Sequence, residues 1–266
     1  MSKTDYAKDC CSAEIMAAFI SKNLKGMNVA GIGAASQIPW MGIRLAQATH
    51  SPDLWFFWGP GSAMNSKFNK MEFGVDHRMT LGAESHMNMA IGLDLFANPR
   101  FTSWVLFFGG FQIDKYGNVN MAYIGDQKKP KFRGPGTLGL MNLAFRAKIF
   151  LFTGIHNPRL FVEKVDFISG PGYLDGPGAR EKAGCLPGGG PHFVITPIAI
   201  FDFDEETKIM RLKSVHPGHT VKEVLEKTGF TPIVPKDVPE TDPPTVEEVA
   251  FMRSFDPDGI LPKLTA

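Results

Sequence analysis

Apolar and polar positions alternate along this chain in two rhythms. SAEIMAAFISKNL (12–24) repeats its apolar residues at helical spacing behind Ser12, which the pattern predicts as an N-cap. NVAGIGAAS (28–36) is a short apolar strand entering a glycine-rich turn, and IPWMGIRLAQAT (38–49) is a helix with Pro39 in its first turn. DLWFFW (53–58) is the next strand, so the opening reads β-turn-α-β, the start of a parallel sheet with crossover helices. Residues 64–100 lose clear periodicity and read as an excursion over the sheet. SWVLFF (103–108) is a strong buried strand ending in Gly109 and Gly110. NVNMAYIG, AKIFLF, EKVDFIS, HFVITP, AIFDF and KIMRLKSV are further strand candidates, and TVKEVLEKTG and TVEEVAFMRS are helices. The pattern predicts an α/β fold, an open and mostly parallel sheet with flanking helices, in a single domain spanning 1–266.

Composition narrows the picture. The 266 residues are 44% hydrophobic and 21% charged with a formal net charge of +1. That balance suits a globular protein and argues against a nucleic-acid partner, which needs a basic surplus. Cys10, Cys11 and Cys185 show no disulfide or metal spacing. No apolar leader or membrane-length run occurs, so the expectation is a cytoplasmic protein with no membrane partner. GIGAAS lacks the third glycine of a dinucleotide fingerprint. His216 and His219 in HPGHT sit before an N-cap, Thr220, and read as structural; no metal site is expected. QKKPKFR (127–133) reads as a solvated loop.

Two segments hold unusual densities of glycine and proline: FRGPGTLG, and SGPGYLDGPGAREKAGCLPGGGPHF with Tyr173, Asp175, Arg180 and Glu181 in it. A loop of that length in a compact domain is usually functional or bound to a partner. These segments belong to longer motifs: GGFQIDKYGNVN followed by IGDQKKPKFRGPG, then FVEKVDFISGPGYLDGPGAREKAGCLPGGGPHFVIT, then MRLKSVHPGHTVKEVLEKTGF. Together they resemble the beta subunits of class I CoA-transferases, of the glutaconate CoA-transferase type, from SPDLWFF to the last of these helices.

The resemblance implies an open α/β fold working beside a homologous alpha subunit, as a heterodimer or heterotetramer. It also implies a coenzyme A thioester as substrate, with no bound cofactor. In the transferases a glutamate of the beta chain attacks the thioester and carries CoA as a glutamyl thioester. Laid on this sequence, its position falls at Gly59 in FFWGPGS, and no carboxylate stands within two residues. A branch with the same vacancy fits better: CoA-transferase-like hydrolases that open rings in steroid catabolism, adding water across a carbon–carbon bond of a cyclic β-keto CoA ester. Two alternatives stay open, a CoA-transferase whose nucleophile is Glu72, Glu84 or a partner's group, and a non-catalytic subunit acting as scaffold or acyl-CoA binder.

The Gly109–Gly110 turn approaches the thioester in this family, and the backbone N–H of Gly110 is the expected oxyanion donor. Gln112 is the polar side chain expected to orient substrate or water. Trp58, Gly59, Gly109, Phe111 and Asn118 are expected substrate or CoA contacts. Asp114 is expected to hold the DKYGN turn; Asn120 reads equally as a rim residue or as part of a hairpin; Lys131 and Arg133 flank a glycine-rich loop and read as solvated surface residues, with CoA phosphates as the alternative. His77 and His86 lie in the excursion where specificity is set.

Overall fold

A computed structural model describes residues 5–72, 75–97 and 103–265. The first elements in chain order are α1 (Ser12–Lys22), β1 (Val29–Ile32), α2 (Gln37–Thr49), β2 (Trp55–Trp58), β3 (Ala63–Met64), β4 (Ser85–His86), α3 (Met89–Ala97) and β5 (Trp104–Phe108). Then come β6 (Gln112–Asp114), β7 (Val119–Asn120), β8 (Tyr123–Gly125), β9 (Pro130–Arg133), α4 (Leu140–Ala144), β10 (Lys148–Phe152) and β11 (Phe161–Val162). The chain closes with α5 (Ala179–Lys182), β12 (Gly190–Ile195), β13 (Ala199–Phe203), β14 (Met210–Val215), α6 (Val221–Glu226), α7 (Val246–Phe255) and α8 (Ile260–Lys263). These elements form two compact units, one of residues 1–107 with 241–266 and one of residues 108–240.

In the first unit β1 is central, parallel to β2 on one side and β5 on the other, with Val29 opposite both Trp55 and Trp104. The β-branched and aromatic content of these strands suits a sheet buried on both faces. Phe56 and Trp58 are fully buried, whereas Trp55 is 44% exposed at the start of its strand. Beyond β2 the ladder turns antiparallel through β3 and β4. The excursion thus adds an edge to the sheet.

Helices α1 and α2 pack closely because Gly42 has no side chain. A Cβ there would sit 2.6 Å from Ile20 Cγ2 and 2.8 Å from the Ala17 carbonyl oxygen. The N-cap of α1 is Cys11, one residue ahead of the expected Ser12. Glu14, the third helical residue, accepts the Cys11 backbone N–H at 2.8 Å and completes a capping box. Arg253 of α7 then reaches back across the chain, donating through Nε to Glu14 Oε1 and through Nη1 to Asp9 Oδ2, both at 2.9 Å.

The second unit has β10 parallel to β12, continued antiparallel through β13 and β14. A separate small sheet has the order β11-β6-β7, and β8 pairs with β9 as a hairpin. The α/β fold with an open sheet and flanking helices therefore stands: each unit has parallel strand pairs, and antiparallel strands continue from them. Of QKKPKFR, expected as a solvated loop, PKFR is the hairpin strand β9, and QKK is the exposed bend that leads into it. EKVDFIS is not a strand past Val162. No helix among the described residues is long and apolar enough to cross a membrane.

Candidate functional site

Strand β5 runs apolar to Phe108 and stops at Gly109–Gly110. Glycine is required at the second position: a Cβ on Gly110 would lie 2.5 Å from Val119 Cγ1 and 2.8 Å from the Asn120 carbonyl oxygen. At Gly109 the nearest atom is the Phe152 carbonyl oxygen, 3.2 Å away. The Phe111 N–H is taken by the Asn120 carbonyl at 3.0 Å. The Gly110 N–H has no partner among the described residues.

Beneath this turn the side chains are tied to one another. Gln112 is buried, and its Oε1 accepts from Asn120 Nδ2 at 2.7 Å and from the Asp166 N–H at 3.0 Å. Its Nε2 donates to Asp166 Oδ2 at 3.1 Å, leaving one N–H in hand. Asn118 is saturated. Its Nδ2 donates to Asp114 Oδ2 and the Leu174 carbonyl, and its Oδ1 accepts from Gly172 and Leu174. An amide has two N–H donors and two carbonyl lone pairs, so nothing of Asn118 is left for a ligand. Asp114 holds its turn as expected, accepting from the N–H groups of Tyr116 and Asn118; burial pushes its carboxyl up, against those hydrogen bonds. Asn120 is fully buried rather than at the rim. Phe111 makes an edge-on contact with Phe132 at 5.0 Å.

The long glycine- and proline-rich loop is ordered by a residue whose role the sequence left open. Arg180 is 4% exposed and donates to the carbonyls of Pro171, Gly172 and Ala144 at 3.1, 2.8 and 2.8 Å. Tyr173 Oη donates to the Pro191 carbonyl. The guanidinium has five donors in a fixed fork, which is what lets one side chain gather carbonyls from two segments. Lys131 and Arg133 stand exposed on β9, with Arg133 donating to the Gln127 carbonyl.

In the first unit, β2 ends at Trp58 and a 3₁₀ turn Gly59–Gly61 follows. A Cβ on Gly59 would lie 3.0 Å from the Ile32 carbonyl oxygen. Phe57 and Trp58 are the buried aromatics beside it; Trp55 is turned out to solvent. Of the carboxylates further along, Glu84 is paired with Lys67 at 2.7 Å and accepts from Asn65 at 3.2 Å. Those contacts hold it below the usual carboxylate range. Glu72 accepts from Arg78 at 3.0 Å and lies 3.7 Å from Lys70, and with Trp58 it lines a small cavity. His77 and His86 are exposed.

The histidines of HPGHT are structural. His216 Nε2 meets the Thr196 carbonyl at 2.9 Å, and His219 Nδ1 meets Glu223 Oε2 at 2.9 Å. His156, which no motif singles out, is buried between Thr196 Oγ1 and Thr228 Oγ1, each at 3.0 Å. Desolvation pushes His156 down to about 3 and His216 to about 4.

The family described as Coenzyme A transferase matches residues 96–227. The B chain of glutaconate CoA-transferase from Acidaminococcus fermentans is 33% identical over 253 residues, 90% of either chain. The cholesterol ring-cleaving hydrolase IpdB subunit of Mycobacterium bovis is 26% identical over 93% of this chain and 96% of its own. The crystal structure of the Acidaminococcus fermentans glutaconate coenzyme A-transferase superimposes with a TM-score of 0.87 at 29% identity, covering 97% of this chain and 99% of that one. The chain belongs to the coenzyme A transferase family, as a beta-type subunit.

Proposed function

We propose that this chain works with a homologous alpha subunit on acyl-CoA thioesters, and that the reaction is hydrolytic ring opening of a cyclic β-keto acyl-CoA. One observation carries the reading: the end of β2, where the resemblance puts the transferase glutamate, is the bare backbone of Gly59. Glycine cannot form an anhydride, and the Ile32 carbonyl, 3.0 Å from where a Cβ would stand, makes even a methyl group tight there. The flanking Phe57 and Trp58 are apolar, which suits an alicyclic acyl group.

The chemistry balances without a covalent intermediate. Water adds to the ring ketone carbon and gives up a proton to a base. The bond from that carbon to the thioester α-carbon breaks, its electron pair moves into the thioester enolate, and the α-carbon takes up a proton. The product is a single open-chain acyl-CoA that carries the new carboxylate at its other end. Negative charge collects on the thioester oxygen, and the Gly110 N–H is our proposed donor to it. One such donor is worth about 3 kcal/mol in the transition state. Gln112, with one N–H in hand, is proposed to orient substrate or water beside it. Phe111 and Gly109 are proposed contacts of the CoA ester.

The test is to purify the chain with its alpha partner and offer a cyclic β-keto acyl-CoA. Gain of one water with CoA retained supports the proposal. Quantitative CoA transfer to a free acid, with the ring intact, overturns it. One observation favours a second reading: Glu72 lines the same cavity as Trp58. If Glu72 were a transferase nucleophile, hydroxylamine would cleave an acyl adduct at that residue; an unmodified Glu72 in acyl-CoA-treated complex removes this reading.

A further inference from the structure

Strands β1 and β2 end beside a cavity of about 10 Å³, room for the centre of a single water molecule. Trp40 of α2 and Trp58 of β2 both line it. They are 2% and 1% exposed, and the indole Nε1 of each is buried with no hydrogen-bond partner among the described residues. Leaving a buried donor unpaired is costly, and native proteins almost always supply an acceptor from the chain or from ordered water. Cavities that stay dry are lined by apolar groups throughout. Two residues with orphaned donors border one cavity of this size, and an oxygen there is the simplest acceptor to supply.

The rest of the lining says which kind. Ser36 and Gln37, at the start of α2, also face the cavity. Ser36 is the N-cap, yet its Oγ donates to the Ala34 carbonyl at 3.1 Å and makes no cap bond. Pro39 contributes no N–H, so the backbone donors left over in the first turn of this 13-residue helix are those of Gln37 and Ile38. Glu72 is the ionisable residue of the lining, 14% exposed in its side chain. Although Glu72 is paired with Arg78 and lies 3.7 Å from Lys70, a carboxylate on the lining still favours a neutral ligand over an anion. A neutral oxygen satisfies the indoles without that repulsion. Gly33, also on the lining, is exposed, which gives the cavity a way out to the surface at the carboxyl end of β1.

We infer that this cavity is a recognition site for one neutral acceptor oxygen, held by the indole N–H groups of Trp40 and Trp58. Its occupant is a water in the ligand-free protein and the ring ketone oxygen of the acyl group when substrate is bound. The ligand half rests on the acyl-CoA reading proposed above. Because Trp58 directly precedes Gly59, the site ties recognition of the ketone to the position from which the family's nucleophile is missing.

Two measurements test it. The first is a crystal structure of the full chain with its partner, ligand-free and under xenon pressure. Ordered water within hydrogen-bond distance of both indole nitrogens, with no xenon, supports the site. A cavity that takes up xenon overturns it, since only a dry cavity does so. The second compares binding of a cyclic β-keto acyl-CoA with an analogue carrying a methylene in place of the ring carbonyl. The complex should bind the ketone about tenfold or more tightly, because the analogue displaces water and leaves buried donors unpaired. Trp40→Phe and Trp58→Phe should each shrink that ratio towards one; an unchanged ratio in both overturns the ligand half. Should Trp58→Phe fail to fold, Trp40→Phe and the wild-type crystal decide. If neither thioester binds, the proposed function falls and takes the ligand half with it, while the water position still decides the cavity.

Discussion

At Gly59 the space for a side chain can be stated in ångströms. A new Cβ meets the Ile32 carbonyl oxygen at 3.0 Å, tighter than ordinary contact, so β1 and the turn must part by a few tenths of an ångström to admit it. Gly59→Ala should therefore lower stability by about 1 kcal/mol, read as a shift of the denaturant midpoint at unchanged slope. Gly59→Glu should bear the same strain and place a carboxylate where the family keeps one. In the complex it is expected to lose hydrolysis and gain a hydroxylamine-sensitive acyl adduct on the peptide that carries the new carboxylate, detected by mass. If the variant folds and no adduct forms, position 59 is not the nucleophile's place. The buried imidazoles give a second residue-scale expectation. His156 and His216 are pushed down to about 3 and about 4 from 6.5. Above pH 6.5 both are neutral whether the chain is folded or not. Below it the unfolded chain binds protons that the folded one refuses, so stability falls as pH drops from 6.5 towards 4 and 3. Between pH 7 and 5 each histidine should cost about 2 kcal/mol. His156→Gln, which can still bond to a threonine hydroxyl, should flatten the dependence of urea midpoint on pH; a slope as steep as the wild type's would refute the assignment.

Single elements show why some of the fold reads directly from the sequence and some does not. β2 and β5 are continuous apolar runs, β10 and β13 are apolar but for Lys148 and Asp202, and their buried faces impose the strand whatever lies around them. α6 and α7 announce themselves through Thr220 and Thr245, whose side chains accept from the N–H groups of Glu223 and Glu248 as caps should. EKVDFIS has the alternation of a strand but lacks its ladder after Val162. There the Asp166 N–H goes to the Gln112 side chain, and Ser169 Oγ accepts from Met121, so side chains satisfy backbone groups that a neighbouring strand would otherwise take. β3 and β4 are two residues each, too short for any period to register. At the candidate site, the Gly109–Gly110 turn is conspicuous as a strand end, whereas its place beside a thioester is what the resemblance implies. The cavity under Trp58 was not legible, because Trp40 and Trp58 meet only after α2 has folded over the strands. Arg253 is the same kind of long-range contact: nothing in TVEEVAFMRS points to Glu14. Glu14 is 3% exposed in its side chain, so Arg253→Met leaves a buried carboxylate with only its cap bond to Cys11. The expected loss is about 2 kcal/mol, with Arg253→Lys recovering part of it. Equal midpoints for the Arg253→Met variant and wild-type protein would show that the α1–α7 tie carries no weight.

For the whole molecule, the telling feature is apolar surface that the chain does not cover itself. Leu138, Met141, Phe145 and Leu186 are 57%, 47%, 39% and 38% exposed, and the Leu186 N–H donates to the Phe145 carbonyl, which binds two stretches of this surface together. Leu138 also has φ of 49°, left-handed backbone next to Gly139 at 82°. A leucine pays about 1 kcal/mol to adopt that conformation, and here it does so while presenting its side chain to solvent. Neither cost benefits the chain alone; both are offset if a partner chain buries the leucine. Leu138→Gly separates the two effects. Removing the strained side chain should raise the stability of the chain by itself by about 0.5 kcal/mol, read from urea midpoints. The same change should weaken assembly with the alpha subunit several-fold, read by sedimentation of the mixed subunits. Met141→Gln, which removes apolar area without touching a left-handed residue, should weaken assembly while leaving the lone chain's midpoint unmoved. Should both variants assemble as tightly as wild type, the surface around α4 faces something other than the alpha subunit, and the partner must dock on a different face of the chain.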